Sequence, residues 1–224
     1  MSKHLQRDLE RLKRELLTMG GMIEEATDRA IGAVVDRRAD LAEQVTVGDD
    51  KIDAKELEIE DECLKMLALH QPVASDLRFI ITVLKVNNDL ERMGDLAKNI
   101  AERALVLVKQ PPIEGARDFQ PMAERVRRMV HECIDALVHR DVDLARKVCL
   151  DDREVDEEQK RRFAQLQEVM RKDPASIERA INLLSVTRHL ERIADHATNV
   201  AEDVVFLVDG EVIRHLRLSR ARAQ

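Results

Sequence analysis

The chain has 224 residues, 44% of them hydrophobic, which is ample for the packed core of one or two domains. With no Trp or Tyr and four Phe that core must be aliphatic, and 36% charged residues with only seven Gly favour long helices with solvated faces over strands. A net charge of −7 argues against a nucleic-acid binder, which should carry a basic patch or stripe.

The amino-terminal stretch MSKHLQRDLERLKREL lacks the apolar run of a signal peptide. The longest apolar stretches, such as Ala104 to Val108, fall far short of a membrane span. The expectation is a cytoplasmic protein without direct membrane insertion. From about Lys3 to Asp36, Leu5, Leu9, Leu12, Leu16, Met19, Ile23, Ala26, Ala30 and Val34 step by three and four, as one face of a helix must. Gly20 and Gly21 lie inside it and mark either a close packing contact or a kink. Asp40 suits the cap of a second helix, from about Leu41 to Leu69, which ends before Gln71-Pro72. A third is predicted from about Ser75 to Val108.

Pro111-Pro112, Gly115 and Pro121 form the one turn-rich interruption of any length, so residues 1–110 and 122–224 read as two halves joined by a linker over 111–121. The second half is predicted to hold helices from about Met122 to Val138, from Val142 to about Arg171, and after Asp173-Pro174, an N-cap followed by a first-turn proline. Arg214, Arg217, Arg220 and Arg222 make a short basic tail, read as a frayed terminus. Cys63, Cys133 and Cys149 are isolated among apolar neighbours and fit reduced core thiols, with no CxxC framework for a disulfide or zinc.

The halves repeat one another. NDLERMGDLAKNIAE at 88–102 returns as HLERIADHATNVAE at 189–202, and the sequence at 37–42 is echoed at 140–145. The third-helix stripe Val83, Val86, Leu90, Met93, Ala97, Ile100, Ala104, Leu107 reappears as Leu183, Val186, Leu190, Ile193, Ala197, Val200, Val204, Leu207. Such spacing packs antiparallel neighbours at shallow angles. The fold expected is all-α: a tandem duplication of two antiparallel three-helix bundles.

Within the repeated phrase Glu91 and Asp95, and Glu191 and Asp195, lie four apart on one helical face. Asp49 with Asp53 and Asp152 with Asp156 show the same spacing on the preceding helices. Folding each helix pair back at its turn brings these pairs level, so four carboxylates converge per half. Like charges at this spacing destabilise an isolated helix by roughly 0.2–0.5 kcal/mol a pair unless a cation neutralises them. Oxygen-only donors suit hard cations such as Mg²⁺, Mn²⁺, Ca²⁺ or iron, with Asn99, Asn199 and His196 as further ligands or supports. The alternative is a solvated face balanced by Arg92, Arg192, Lys98 and Arg103, with the asparagines pinning register and His189 and His196 on the surface.

The doubled LERxxDxAxNxAE phrase, the DxxxD pairs and GlyGluValIleArgHis after the last motif resemble the PhoU family of phosphate-signalling regulators over nearly the whole chain. The resemblance implies two pseudo-repeated three-helix bundles and a homodimer. It implies multinuclear metal clusters, of iron or zinc, at Asp49, Asp53, Glu91, Asp95, Asp152, Asp156, Glu191 and Asp195. It also implies a non-enzymatic adaptor between a phosphate ABC transporter and a sensor histidine kinase, holding phosphate uptake and the starvation response down. Ala194 against Gly94, and His189 against Asp89, break the symmetry and speak against equal metal affinity of the two halves. A carboxylate-bridged storage protein or oxidase is the rival enzyme-like reading, but none of the seven histidines follows a Glu by three residues. A plain helical interaction scaffold is the third.

Overall fold

The computed structural model describes residues 3–113 and 118–210. Six α-helices occupy them, and no strand is found among them. They are α1 (Lys3–Val35), α2 (Ala39–His70), α3 (Ala74–Val108), α4 (Gln120–His139), α5 (Val142–Lys172) and α6 (Ile177–Asp209). The central part of the linker and the basic tail with its four arginines lie outside the described residues.

Each helix follows from its apolar period. Both third-helix stripes are buried along their whole length, and so is that of α1 apart from a partly covered Ala26. Turns between helices are short, so neighbours are folded back on one another: α1 packs on α2 and α3, and α4 on α5 and α6. The halves are not separate bodies, because α3 packs on α6 as extensively as on α2, α1 crosses α4, and one apolar core runs through both.

The duplication shows in the turns. Arg37 and Arg140, 103 residues apart, adopt the same left-handed conformation, with φ of 57° and 56°, at the end of the first helix of each half. The caps that follow differ. Asp141 caps α5 by accepting a hydrogen bond from the Leu144 amide at 2.9 Å, but the equivalent residue before α2 is Arg38, which makes no side-chain cap. The expected cap Asp40 lies instead in the first turn of α2, where its carboxylate pairs with Arg38 and complements the helix dipole. Asp173 caps as expected, but through a single 3₁₀ turn, Pro174–Ser176, that leads into α6.

The linker is held at both described ends. Arg37 donates to the carbonyls of Val108 at 2.7 Å and Gln110 at 2.6 Å, satisfying groups left open where α3 stops, and Arg179 donates to Pro111 O at 3.1 Å. Beyond the gap Phe119 is fully buried under the Arg162 guanidinium, 4.3 Å from its ring centre.

Gly20 and Gly21 divide the two expectations between them. A Cβ on Gly20 would lie 2.3 Å from Ile134 Cδ1 of α4, so this glycine allows the halves to approach, whereas one on Gly21 would meet open space. The helix runs through both.

Candidate functional site

The eight carboxylates sit on the two seams between the second and third helix of each half, α2 with α3 and α5 with α6. Asp49 and Asp152 are the innermost, each 2% exposed. Asp53 is pushed above the usual carboxylate range by burial and then by the charges of Asp49 and Asp95, with Lys98 pulling the other way. Glu91 is pushed up by burial, Asp95 and Asp53. Glu191 is pushed up by burial, Asp195 and Asp156, against a hydrogen bond with Gln159. In each half, therefore, the four acids share one electrostatic neighbourhood, as the level pairs required. Among the described residues no three His, Cys, Asp or Glu side chains already form a shell around one point.

Two further residues belong to these neighbourhoods. Glu56 contributes to the upward push on Glu91 and accepts from Asn87 Nδ2 through its own carbonyl at 2.9 Å. Its counterpart 103 residues on is Gln159, the partner of Glu191. Both lie three residues after the second aspartate of their helix, on the next turn of the same face, which is the signal that could have found them.

The seams differ in what meets the innermost acid. In the first half Lys98 Nζ lies 2.6 Å from Asp49 Oδ2. In the second, the residue 100 positions on is Thr198, whose hydroxyl donates to Asp152 Oδ1 at 3.3 Å. Carboxylate oxygens are the donor type a hard cation takes, but the described side chains are not gathered into a group that could hold one. In the first half a protein cation already stands on one of the donors.

His196 and Asn199 have partners outside the two carboxylate clusters. Both turn to the α3–α6 interface, where His196 Nδ1 is 2.7 Å from Asp89 Oδ1 and Asn199 Nδ2 donates to the same oxygen at 3.4 Å. They tie the halves together, and His196 is largely covered rather than on the surface. His189 is also removed from the surface, its pKa lowered by burial and by Arg103. The break in symmetry between Asp89 and His189 is thus a feature of the interface.

Gly94 has a packing reason. A Cβ there would stand 3.0 Å from Ile52 Cγ2. The equivalents of Gly94 and Ile52 are Ala194 and Val155, both fully buried, so the methyl gained on α6 is matched by a methylene lost on α5.

Burial pushes the Cys63 thiol up to about 12 and that of Cys133 upward as well, which makes neither a ready nucleophile. Cys149 is only partly covered, short of the core position expected of it.

Replacing Glu191 by Gln tests the electrostatics directly. The raised pKa means that folding opposes ionisation of Glu191, a penalty absent below its ordinary value of 4.5 and fully present once the pH exceeds the raised one. Metal-free Glu191→Gln should therefore be more stable than the wild type at pH 7, by a few tenths of a kcal/mol, and equal to it near pH 4. Urea unfolding at the two pH values, with metal chelated, measures this; a difference that persists at pH 4 would mean that packing, not charge, is responsible.

The comparisons with known proteins agree with this architecture. The family model described as the PhoU domain matches the chain twice, over residues 16–104 and 119–204. A Pseudomonas aeruginosa protein named phosphate-specific transport system accessory protein PhoU homolog is 40% identical over 225 residues, covering 100% of this chain and 93% of that one. One of the same name from Aquifex aeolicus is 43% identical over 93% of this chain and 95% of its own length. The crystal structure of PhoU from Pseudomonas aeruginosa superposes with a TM-score of 0.88 at 40% identity, over 92% of this chain and 99% of that one. That of the phosphate transport system regulatory protein PhoU from Streptococcus pneumoniae gives 0.86 at 28%, over 93% and 98%. With one repeat in each half, and relatives above 30% identity along its whole length, the chain belongs to the PhoU family.

Proposed function

We propose that the chain is a cytoplasmic, non-enzymatic adaptor that links a phosphate ABC transporter to a sensor histidine kinase and restrains phosphate uptake and the starvation response while phosphate is plentiful. The relatives' names support the connection to phosphate transport. One observation carries the choice of binding over turnover: among the described residues, the conspicuous shared surface of the halves joins carboxylates to exposed apolar residues rather than to a catalytic grouping. Leu77 and Ile81 on α3, and Ile177 and Ile181 on α6, occupy equivalent places and are all exposed. They continue the helical face of Glu91 and Asp95, and of Glu191 and Asp195, towards each helix's N-terminus. On the second half the face opens into a cavity of about 630 Å³ lined by Phe163, Ile181, Leu184, Arg188, Glu191 and Asp195. A partly apolar surface with charges of both signs suits a protein partner. No described helix is long and apolar enough to cross a membrane, so contact with a transporter would be peripheral.

The metal reading belongs to the same proposal. Iron, zinc or another divalent ion held by the carboxylates would turn a strongly negative seam neutral or positive and change the partner surface it attracts. A homodimer completes the expected assembly.

The test is a deletion strain carrying a phosphate-starvation reporter in phosphate-rich medium. Loss of the gene should leave the reporter on, and the wild-type chain should silence it in proportion to its concentration, since an adaptor has no turnover. A folded variant with Asp152, Asp156, Glu191 and Asp195 changed to Asn or Gln should fail to silence it. Silencing by that variant would make the acids structural, and a silent reporter in the deletion strain would remove the regulatory reading.

A further inference from the structure

We propose that Arg103 of α3 and His189 of α6, set across the seam between the halves, form an oxyanion site that takes inorganic phosphate, with Arg188 and Arg192 at its mouth. The inference is independent of the metal reading and adds to the adaptor reading a small ligand held by the chain itself.

Two unanswered atoms carry it. Among the described residues, Arg103 Nε and His189 Nδ1 are both closed to solvent and both without a hydrogen-bond partner. A guanidinium N–H always donates, and a buried donor left open is rare in a folded protein, so the seam lacks an acceptor. The charges that act on His189 are those of Arg103, Arg192 and Arg188, all positive. Arg188 and Arg192 also border the cavity that holds Glu191 and Asp195, so the pair inside the seam is the core of the site and the two arginines are its approach.

The other end of the same seam shows what is missing. One hundred residues before His189 stands Asp89, and one hundred after Arg103 stands Asp203. Each of those acids is met from the opposite helix, Asp89 by His196 at 2.7 Å and Asp203 by Lys85 at 2.9 Å. At the Arg103 end the repeat has a base in place of each acid, and Leu96 and Ser185 in place of His196 and Lys85. None of these four positions supplies a carboxylate, so the acceptor has to come from solution.

Inorganic phosphate has the chemistry the pair recognises. A guanidinium offers two parallel N–H groups to two oxygens of one tetrahedral anion, and an Nδ1 proton can reach a third. Arg103 and His189 are partly covered, whereas Arg188 and Arg192 are exposed, so the site opens to solvent on its positive side and steers an anion inward.

The full-length chain is dialysed to equilibrium against radiolabelled phosphate in chloride buffer with EDTA, so that no metal bridges the anion to the carboxylates. The wild type should bind one phosphate per chain with a dissociation constant below about 1 mM. Arg103→Gln should weaken binding about tenfold or more, the loss expected for a charge-assisted hydrogen bond. His189→Asp restores at this end the acid found at the other. It should abolish phosphate binding and raise the melting temperature of the phosphate-free chain, because Arg103 then has a carboxylate inside the seam. Added phosphate should raise the melting temperature of the wild type but not of His189→Asp. Arg188→Gln with Arg192→Gln should weaken binding about threefold and flatten its dependence on salt. Arg92→Gln, at the place in the first half that matches Arg192, should leave binding unchanged. Circular dichroism confirms that each variant is folded.

No phosphate on the folded wild type, or binding that Arg103→Gln and His189→Asp both leave unchanged, overturns the site. If the wild type binds no phosphate and Arg103→Gln no longer silences the starvation reporter, the seam meets a carboxylate of a protein partner instead, and the adaptor reading stands without this site. A silent reporter in the deletion strain together with phosphate binding that depends on Arg103 would bring down the adaptor reading and leave the site standing.

Discussion

Truncating Leu90 or Leu190 to alanine should each destabilise the folded chain by about 3–5 kcal/mol, the range for a leucine removed from a core that cannot collapse around the gap. Both side chains are fully buried on the repeated stripes of α3 and α6. The informative part is the shape of the transition. Because α3 is packed on α6 as extensively as on its own partner α2, and a single core spans both halves, neither half can lose its third helix without exposing the other's. Urea unfolding followed by circular dichroism should therefore show one transition, which either substitution moves as a whole. Two steps, of which only one responds to Leu90→Ala, would show that the halves melt independently.

The second large effect is expected at Gly20. Leucine there should cost about 3 kcal/mol, at the upper end of the usual range for overpacking, because even its Cβ would sit 2.3 Å from Ile134 Cδ1. The clash lies where α1 crosses α4, so the damage should fall on the contact between halves. Gly21→Ala is the internal control. Nothing lies within 4 Å of a Cβ at that position, so the change should stabilise the chain by about 0.5–1 kcal/mol through helix propensity alone. Thermal or urea unfolding of the pair measures both. A similar result at the two positions would mean that α4 can retreat from α1, and that the close approach is not a constraint.

Helix limits, stripes and repeat were legible in the chain because they are local or periodic properties. An apolar residue every three or four positions dictates which face is buried whatever it is buried against, and the end of α2 is set by Pro72 within a residue or so. Duplication made the carboxylates legible too, since two acids four apart recur on two helices of each half, and the short turns oblige those helices to fold back. Beyond that the local signal ends. Gly20 and Gly21 are neighbours of one type, and only the position of Ile134 distinguishes the glycine that is needed from the one that is not. Asp40 and Asp141 are both good capping residues, but the turn leaves the first one step inside the helix and the second at its start.

His196 follows Asp195 in the chain, yet it answers to Asp89, because successive helical residues point about 100° apart and α3 lies on that side. Lys98 reads in the sequence as one of several counter-charges for an acidic face. Its 2.6 Å contact with a buried Asp49 depends on how far α2 and α3 are offset along the seam, a quantity that no single helix contains. The chain by itself thus determined which residues are buried, repeated and charged. Tertiary structure decided which charge meets which, because pairing across a seam depends on the register and rotation of two helices at once, and packing fixes those only when the whole core is assembled.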